Sequence, residues 1–237
     1  MIDGMFSALS GLNTSARKLQ VSSNNIANLS TSGFKAGRAE IADVKNGGSQ
    51  VSSTSRVTSQ GAFQFTNNPL DLAISGSGYF QVALGDGGTG YTRSGSLQQD
   101  AGGRLVTADG KPLVPEINVP GNSTGVSIDA GGRVTAQVEG KPQVIGQIQL
   151  ANFNNSGGLA PQGDNLFTQS AASGDPVAGA PATGGFGALV SGMLEMSNVD
   201  IAAEVVDQIL AKTAFKANAS VIRTSDEMVG TLLDIKT

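Results

Sequence analysis

The feature that most constrains this chain is a pair of apolar stripes, one at each extremity, separated by a long glycine-punctuated middle. From the start, Met5, Leu9, Leu12, Ala16, Leu19, Ser23 and Ile26 recur in alternating steps of four and three. That spacing is the a/d pattern of a helix that meets a partner helix, and it also suits an ordinary amphipathic helix packed on its own domain. Asp3 is placed to cap the N-terminus. Asn28, followed by Ser30-Thr31-Ser32-Gly33, supplies the stop, because Asn and Gly tolerate the left-handed conformation.

The other end mirrors the first. Ser197-Asn198-Val199-Asp200 offers a capping start. Val199, Ala203, Val206, Leu210, Thr213, Ala217, Val221, Thr224, Met228, Leu232 and Ile235 then follow at helical spacing, predicting one long helix. Val205, Ile209, Phe215, Ile222, Val229 and Leu233 broaden its stripe beyond what one short helix covers. Several neighbours are expected.

Between the ends, short alternating segments at Phe63/Phe65, Leu70/Leu72/Ile74, Phe80/Val82/Leu84, Val126/Ile128, Val134/Ala136/Val138 and Ile148/Leu150 read as strands. The middle repeats itself: the run from Asp100 to Pro112 returns from Asp129 to Pro142, each copy a turn, a strand and a turn. Residues 36–60 and 170–189 are rich in small and polar residues and read as connectors. The expected fold is α+β: a discontinuous, coiled-coil-like helical domain of residues 1–35 and 190–237, carrying an inserted all-β sandwich or barrel-like domain of residues 61–185 that overlaps the return connector.

Composition then excludes whole chemistries. With no Cys and no His among 237 residues, thiolate and imidazole metal sites, thiol nucleophiles and Ser-His-Asp catalysis are out of reach. The glycine-rich run from Gly85 to Gly90 precedes a strand-like Tyr91-Thr92-Arg93, so it reads as a hairpin loop and not a phosphate cradle. The Asp-Ala-Gly-Gly turns lack the alternating oxygens of a calcium loop, and the carboxylates are dispersed. No catalytic, cofactor or metal residues are expected, and the reading is of an assembly protein and not an enzyme. A net charge of −4 with scattered basic residues gives no footprint for nucleic acid or anionic lipid. No run is long and apolar enough for a membrane span, and the N-terminus lacks the three regions of a cleavable signal.

Ordering two long terminal helices takes more apolar cover than their own stripes supply. The ends are therefore expected to become fully helical when neighbouring subunits cover them, and a heterologous contact of that kind grows a filament.

The run Asn24-Asn25-Ile26-Ala27-Asn28-Leu29-Ser30-Thr31-Ser32-Gly33-Phe34-Lys35 resembles the N-terminal signature of bacterial flagellar rod and hook proteins. Pro69-Leu70-Asp71-Leu72-Ala73-Ile74 with Gly76, Gly78, Phe80 and Val82, and the block from Tyr91-Thr92-Arg93 to Gly110, resemble the family's strand blocks. Ser197 to Asp200, then Ala214-Phe215, Ala217-Asn218, Val221-Ile222 and Asp226-Glu227-Met228, resemble its C-terminal helix. Gly146 to Phe153 and Gly163 to Phe167 are most like the distal-rod branch, whereas the short stretch over residues 36–61 is like the proximal-rod branch.

The resemblance implies a subunit of a helical tube crossing the periplasm within the flagellar basal body, with terminal helices inside and the β domain outside. Such a tube transmits torque to the hook and conducts exported subunits. The implied partners are further copies of the chain, other rod and hook subunits, the surrounding ring proteins and the export apparatus, with no cofactor, nucleic acid or membrane insertion. Export without a cleavable signal follows from the same likeness. The expected subunit interface is Met5, Leu9, Leu12, Leu19, Ile26, Phe34, Val206, Ile209, Leu210, Phe215, Val221, Ile222, Met228 and Leu232. The motif residues Asn24, Asn25, Asn28, Gly33, Asn198 and Asn218 serve either local capping or contacts between subunits. A short hook-type subunit and, from a different class, a secreted β-domain adhesin are the alternatives.

Overall fold

The first helix, α1, runs Ile2–Ala27, and the last, α2, runs Ile201–Asp234, in a computed structural model that describes residues 2–45, 47–85 and 87–234. Because α1 already begins at Ile2, Asp3 sits inside its first turn, where its carboxylate still faces the positive end of the helix dipole. At the other end Asn28 does not turn left-handed. Its N–H reaches Asn24 O and Asn25 O, and Leu29 N reaches Ile26 O, which tightens the last turn; the left-handed residue is Gly33, at φ 69°. The start of α2 is capped as its sequence suggests, with Asp200 Oδ1 accepting from Ala202 N at 2.9 Å.

The chain divides into two units. One comprises residues 1–29, 36–57 and 199–237 and holds both helices with a hairpin of β1 (Gly37–Asp43) and β2 (Ser49–Arg56). The helices are antiparallel, since Ser22 and Asn25 meet Glu204 while Gly11 meets Asn218. The hairpin is bulged between Glu40 and Ile41 and lies along α1, where Thr14 Oγ1 donates to Ser49 O at 3.0 Å and Ser49 N donates to Ser10 Oγ at 3.1 Å. Residues 36–60, read as a connector, thus include a paired ribbon. Its second strand, Ser-Gln-Val-Ser-Ser-Thr-Ser-Arg, is held through hydroxyl and backbone groups, so it shows no apolar alternation.

The other unit, residues 30–35 and 58–198, is built of antiparallel strands with a short 3₁₀ turn at Ser156–Gly158. Its strands are β3 (Phe63–Phe65), β4 (Leu72–Ser75), β5 (Tyr79–Ala83), β6 (Thr89–Thr92), β7 (Leu97–Gln99), β8 (Leu105–Thr107), β9 (Ser123–Ile128), β10 (Arg133–Val138) and β11 (Lys141–Gln147). Then come β12 (Leu150–Asn152), β13 (Ala160–Gly163), β14 (Leu166–Thr168), β15 (Val177–Gly179), β16 (Ala188–Ser191) and β17 (Met193–Glu195). Six strands form one sheet in the order β13-β14-β6-β5-β12-β15, and β11-β10-β9 form another. The late strands β16 and β17 pair with the early strands β4 and β3. Leu72, Ile74, Phe80, Leu97, Leu105, Leu113, Ile117, Val134, Ile148 and Leu150 are the centre of its core. A second cluster places Tyr79 and Tyr91 edge-on to Phe153. Apart from Asp86, which lies outside the described residues, the run from Gly85 to Gly90 falls between β5 and β6 and at the start of β6, as expected.

The sequence repeat is also a structural one. Asp100 N donates to Arg104 O in the first turn and Asp129 N to Arg133 O in the second. Gly103 O then accepts from Val119 N, and Gly132 O from Ile148 N, at the same offset as the repeat itself. Both glycines have positive φ and press against those partner segments, which leaves no room for a side chain.

Candidate assembly surfaces

The contact between α1 and α2 is made by small and polar residues. Ala8, Ser15, Ser22 and Asn25 are buried on α1, and Ala211 and Ser225 on α2. On α2 the seam steps by sevens through Glu204, Ala211, Asn218 and Ser225. Gly11 lets Asn218 come so close that an added Cβ would lie 2.6 Å from its Nδ2. Asn25, 1% exposed, ties three elements: its Nδ2 donates to Glu204 Oε1 at 2.6 Å and to Gly37 O at 2.9 Å, and its Oδ1 accepts from Gly37 N at 2.7 Å. All three bonds run to other elements of the same unit.

The apolar stripes lie beside this seam. Leu9, Leu12 and Ile26 follow the seam residues Ala8, Gly11 and Asn25 by one, about 100° round the helix, and Leu19 takes the same place after Lys18, which is seven residues from both Gly11 and Asn25 and is itself exposed. On α2, Leu210, Ala217 and Thr224 each precede a seam position by one. Leu9, Val206, Ile209, Leu210, Phe215, Val221 and Met228 are exposed, Ile209 and Leu210 by 58% and 61%. Met5, Leu12, Leu19, Ile26 and Ile222 are half-buried, and the side chain of Leu232 lies outside those described. An open groove of about 930 Å³ runs between the hairpin and α2 with α1 as its floor; Thr14, Val21, Ile41, Val57, Leu210 and Ala214 are among its walls.

The second unit contains a buried ionic cluster that the sequence did not announce. Glu195, at the end of β17, is 1% exposed. Its Oε1 accepts from Lys35 Nζ at 2.6 Å and Gly61 N at 3.0 Å, and its Oε2 from Arg93 Nε at 2.9 Å. Arg93 donates further to the carbonyls of Ile74, Gly76 and Gly78, and Lys35 to Ser59 O. Burial lowers the Lys35 pKa from its ordinary value, opposed by the hydrogen bond and charge of Glu195.

Around this cluster the segments that lead from α1 and into α2 are joined. Gly33 N donates to Glu195 O at 2.7 Å, and Asn198 donates from its backbone N to Phe34 O and from Nδ2 to Ser59 O. Phe34, expected on the subunit interface, is only 7% exposed, which leaves little of its ring for a neighbouring subunit. Asn28 donates to Asn24 O at the end of α1, and Asn24 itself is exposed. Asn25 and Asn218 therefore serve the helix pair, and Gly33 and Asn198 the root of the β unit. Arg93 stands in a block already singled out by resemblance, but nothing local marked Glu195 or Lys35 as its partner.

Three family models match in chain order. Residues 5–35 match a flagella basal body rod protein model, residues 73–136 the flagellar hook protein FlgE/F/G D1 domain, and residues 190–235 the flagellar basal body rod FlgEFG protein C-terminal model. The flagellar basal-body rod protein FlgG of Buchnera aphidicola subsp. Acyrthosiphon pisum is 39% identical over 97% of this chain and 98% of its own. The chain belongs to the flagellar basal-body rod protein family. FlgG of Caulobacter vibrioides is 41% identical, covering 94% of this chain and 95% of its own. The flagellar hook protein FlgE of Salmonella typhimurium is 33% identical over 79% of this chain but only 47% of its own length. Among rod-family members the likeness thus runs nearly end to end, while the hook protein is about twice as long as the part it shares. The rod-family models at the two ends fall on the two helices and on the segments that meet at Glu195. Among the described residues no three His, Cys, Asp or Glu side chains group as metal ligands, and no helix is long and apolar enough to cross a membrane.

Proposed function

We propose that this protein is a structural subunit of the flagellar basal-body rod, of the distal-rod type, and that it polymerises through its terminal helices. It has no catalytic role. The observation that carries the polymer is the exposure of Leu9, Val206, Ile209 and Leu210 on two helices that already use another face to hold each other. Exposed apolar rows of that length call for cover, and a head-to-tail surface that does not close on itself gives a helical filament. The helix pair is read as coiled-coil-like, with Met5, Leu9, Leu12, Leu19 and Ile26 on α1 and Val206, Ile209, Leu210, Phe215, Val221, Ile222, Met228 and Leu232 on α2 meeting other subunits. Further copies, neighbouring rod and hook subunits and the export apparatus are the partners of this reading, and torque transmission is its task.

Electron microscopy of the concentrated, purified protein tests it. Helical tubes are the expected result, and a protein that stays monomeric at every concentration overturns it. A secreted adhesin fits less well, because such a module has no use for two long apolar helices.

A further inference from the structure

The two apolar rows of the helical unit do not face the same way. The groove takes from α1 the residues one before the seam, Thr14 and Val21, and from α2 likewise Leu210. The α1 row of Leu9, Leu12 and Leu19 is one residue after the seam, so it lies on the opposite side of the pair. There α2 contributes Val205, one residue after Glu204, and Ile209, which at two residues before Ala211 comes about 160° round the helix to the same side; both are exposed. One side of the unit is concave, walled by the hairpin; the other is an uncovered apolar ridge.

We infer that the groove is a socket for the ridge of a second copy, so that helical units stack front to back with one polarity. This rests on the reading of the chain as a polymerising subunit and goes beyond it by assigning the two faces unequal roles. Shape is the first support, a concave side of about 930 Å³ behind which stands a convex one. Charge is the second. In the groove Glu40 is paired with Arg38, which leaves Glu204 and Asp207 against Lys18 and one acidic charge in excess, while the ridge side of α2 exposes Lys212 and Lys216 against Asp226. Topology is the third: faces that differ and point oppositely cannot pair by a two-fold axis and leave a socket and a ridge open at the ends of every stack.

The absence of Cys from the chain makes the test direct. Leu9→Cys marks the ridge and Leu210→Cys the groove, and one of the two variants carries a size tag. Val205→Cys with Ile41→Cys is a second pair, on α2 and on the hairpin wall. The variants are polymerised in mixture and treated with a short bismaleimide. The expected result is a cross-linked heterodimer from each mixture and little from either variant alone. Cross-linked homodimers from a single variant overturn the inference by showing a two-fold arrangement. Tubes without any cross-link in either mixture overturn it while leaving the rod reading intact. Failure of the unmodified protein to form tubes removes the rod reading, and this inference with it.

Discussion

Lys35 and Glu195 stand 160 residues apart in the chain and share a 2.6 Å ion pair with almost no exposure to solvent. Arg93 completes the cluster from the β6 side at 2.7 Å. Three charges are thus buried together, and among the described residues no buried side-chain nitrogen or oxygen lacks a hydrogen-bond partner, which is the condition under which a buried ion cluster specifies one arrangement of its segments.

Removing the carboxylate leaves two buried cations facing each other. Glu195→Ala is therefore expected to destabilise the β unit by about 3–5 kcal/mol. Lys35→Met leaves Glu195 still held by Arg93 and Gly61 N, so its effect is expected to be clearly smaller. Urea unfolding of the full chain, followed through the tyrosine signal, compares the two. Equal losses would argue that Lys35 and not the carboxylate is the centre of the cluster.

Gly33 is held at φ 69°, and a Cβ there would stand 2.4 Å from Ser94 N and 2.5 Å from Arg93 C, both backbone atoms. Gly33→Ala is expected to lose about 1–3 kcal/mol from backbone strain, with the clash in addition. Gly110 also has positive φ, at 77°, but open space around it. Its alanine variant isolates the conformational part, and the difference between the two melting temperatures reads the clash alone.

The only two tyrosines, Tyr79 and Tyr91, are both buried, and burial raises both phenol pKa values above the ordinary 10. Arg93 and a hydrogen bond with Ser156 oppose the rise at Tyr79, and the charge of Glu195 adds to it. The folded chain keeps these protons where the unfolded chain releases them. This contribution to stability is accordingly present below pH 10 and falls as pH rises from 10 through the raised values. The tyrosinate absorbance is expected to appear late and together with unfolding, whereas a smooth rise near pH 10 in the folded protein contradicts the burial.

Leu12→Asp and Ile209→Asp place charges on the ridge face of the helical unit without touching the seam. Both variants are expected to keep the tyrosine circular dichroism of the β unit and to lose polymerisation, measured by sedimentation. Normal tube formation by either one contradicts its assignment to a subunit contact.

Much of this architecture is legible in the residues. Apolar spacing locates both helices, Asp200 marks the start of α2, and the repeated Asp-Ala-Gly-Gly-Arg turns reappear as equivalent hydrogen-bonded turns. What hydropathy does not reveal is the face by which the helices hold each other. The apolar rows stand out in the sequence and are expected at contacts between subunits, whereas Ala8, Gly11, Ser15, Ser22 and Ala211 make the contact between the helices. Small residues carry little hydrophobic signal, yet they allow close approach and let Asn25 and Glu204 bond across. The hairpin Gly37–Arg56 is obscured for a related reason, since hydroxyls and backbone hold it to α1. The cluster at Glu195 is invisible because its members are isolated charges until the fold brings them together.

That cluster also sets an order of events. A chain emerging from the ribosome presents Lys35 and Arg93 long before Glu195, and the strands that finish the sheets begun by β3 and β4 come just ahead of it or with it. Until that late carboxylate arrives, closing the β unit buries two uncompensated positive charges. The β unit is thus expected to close only once the segment that carries Glu195 is present.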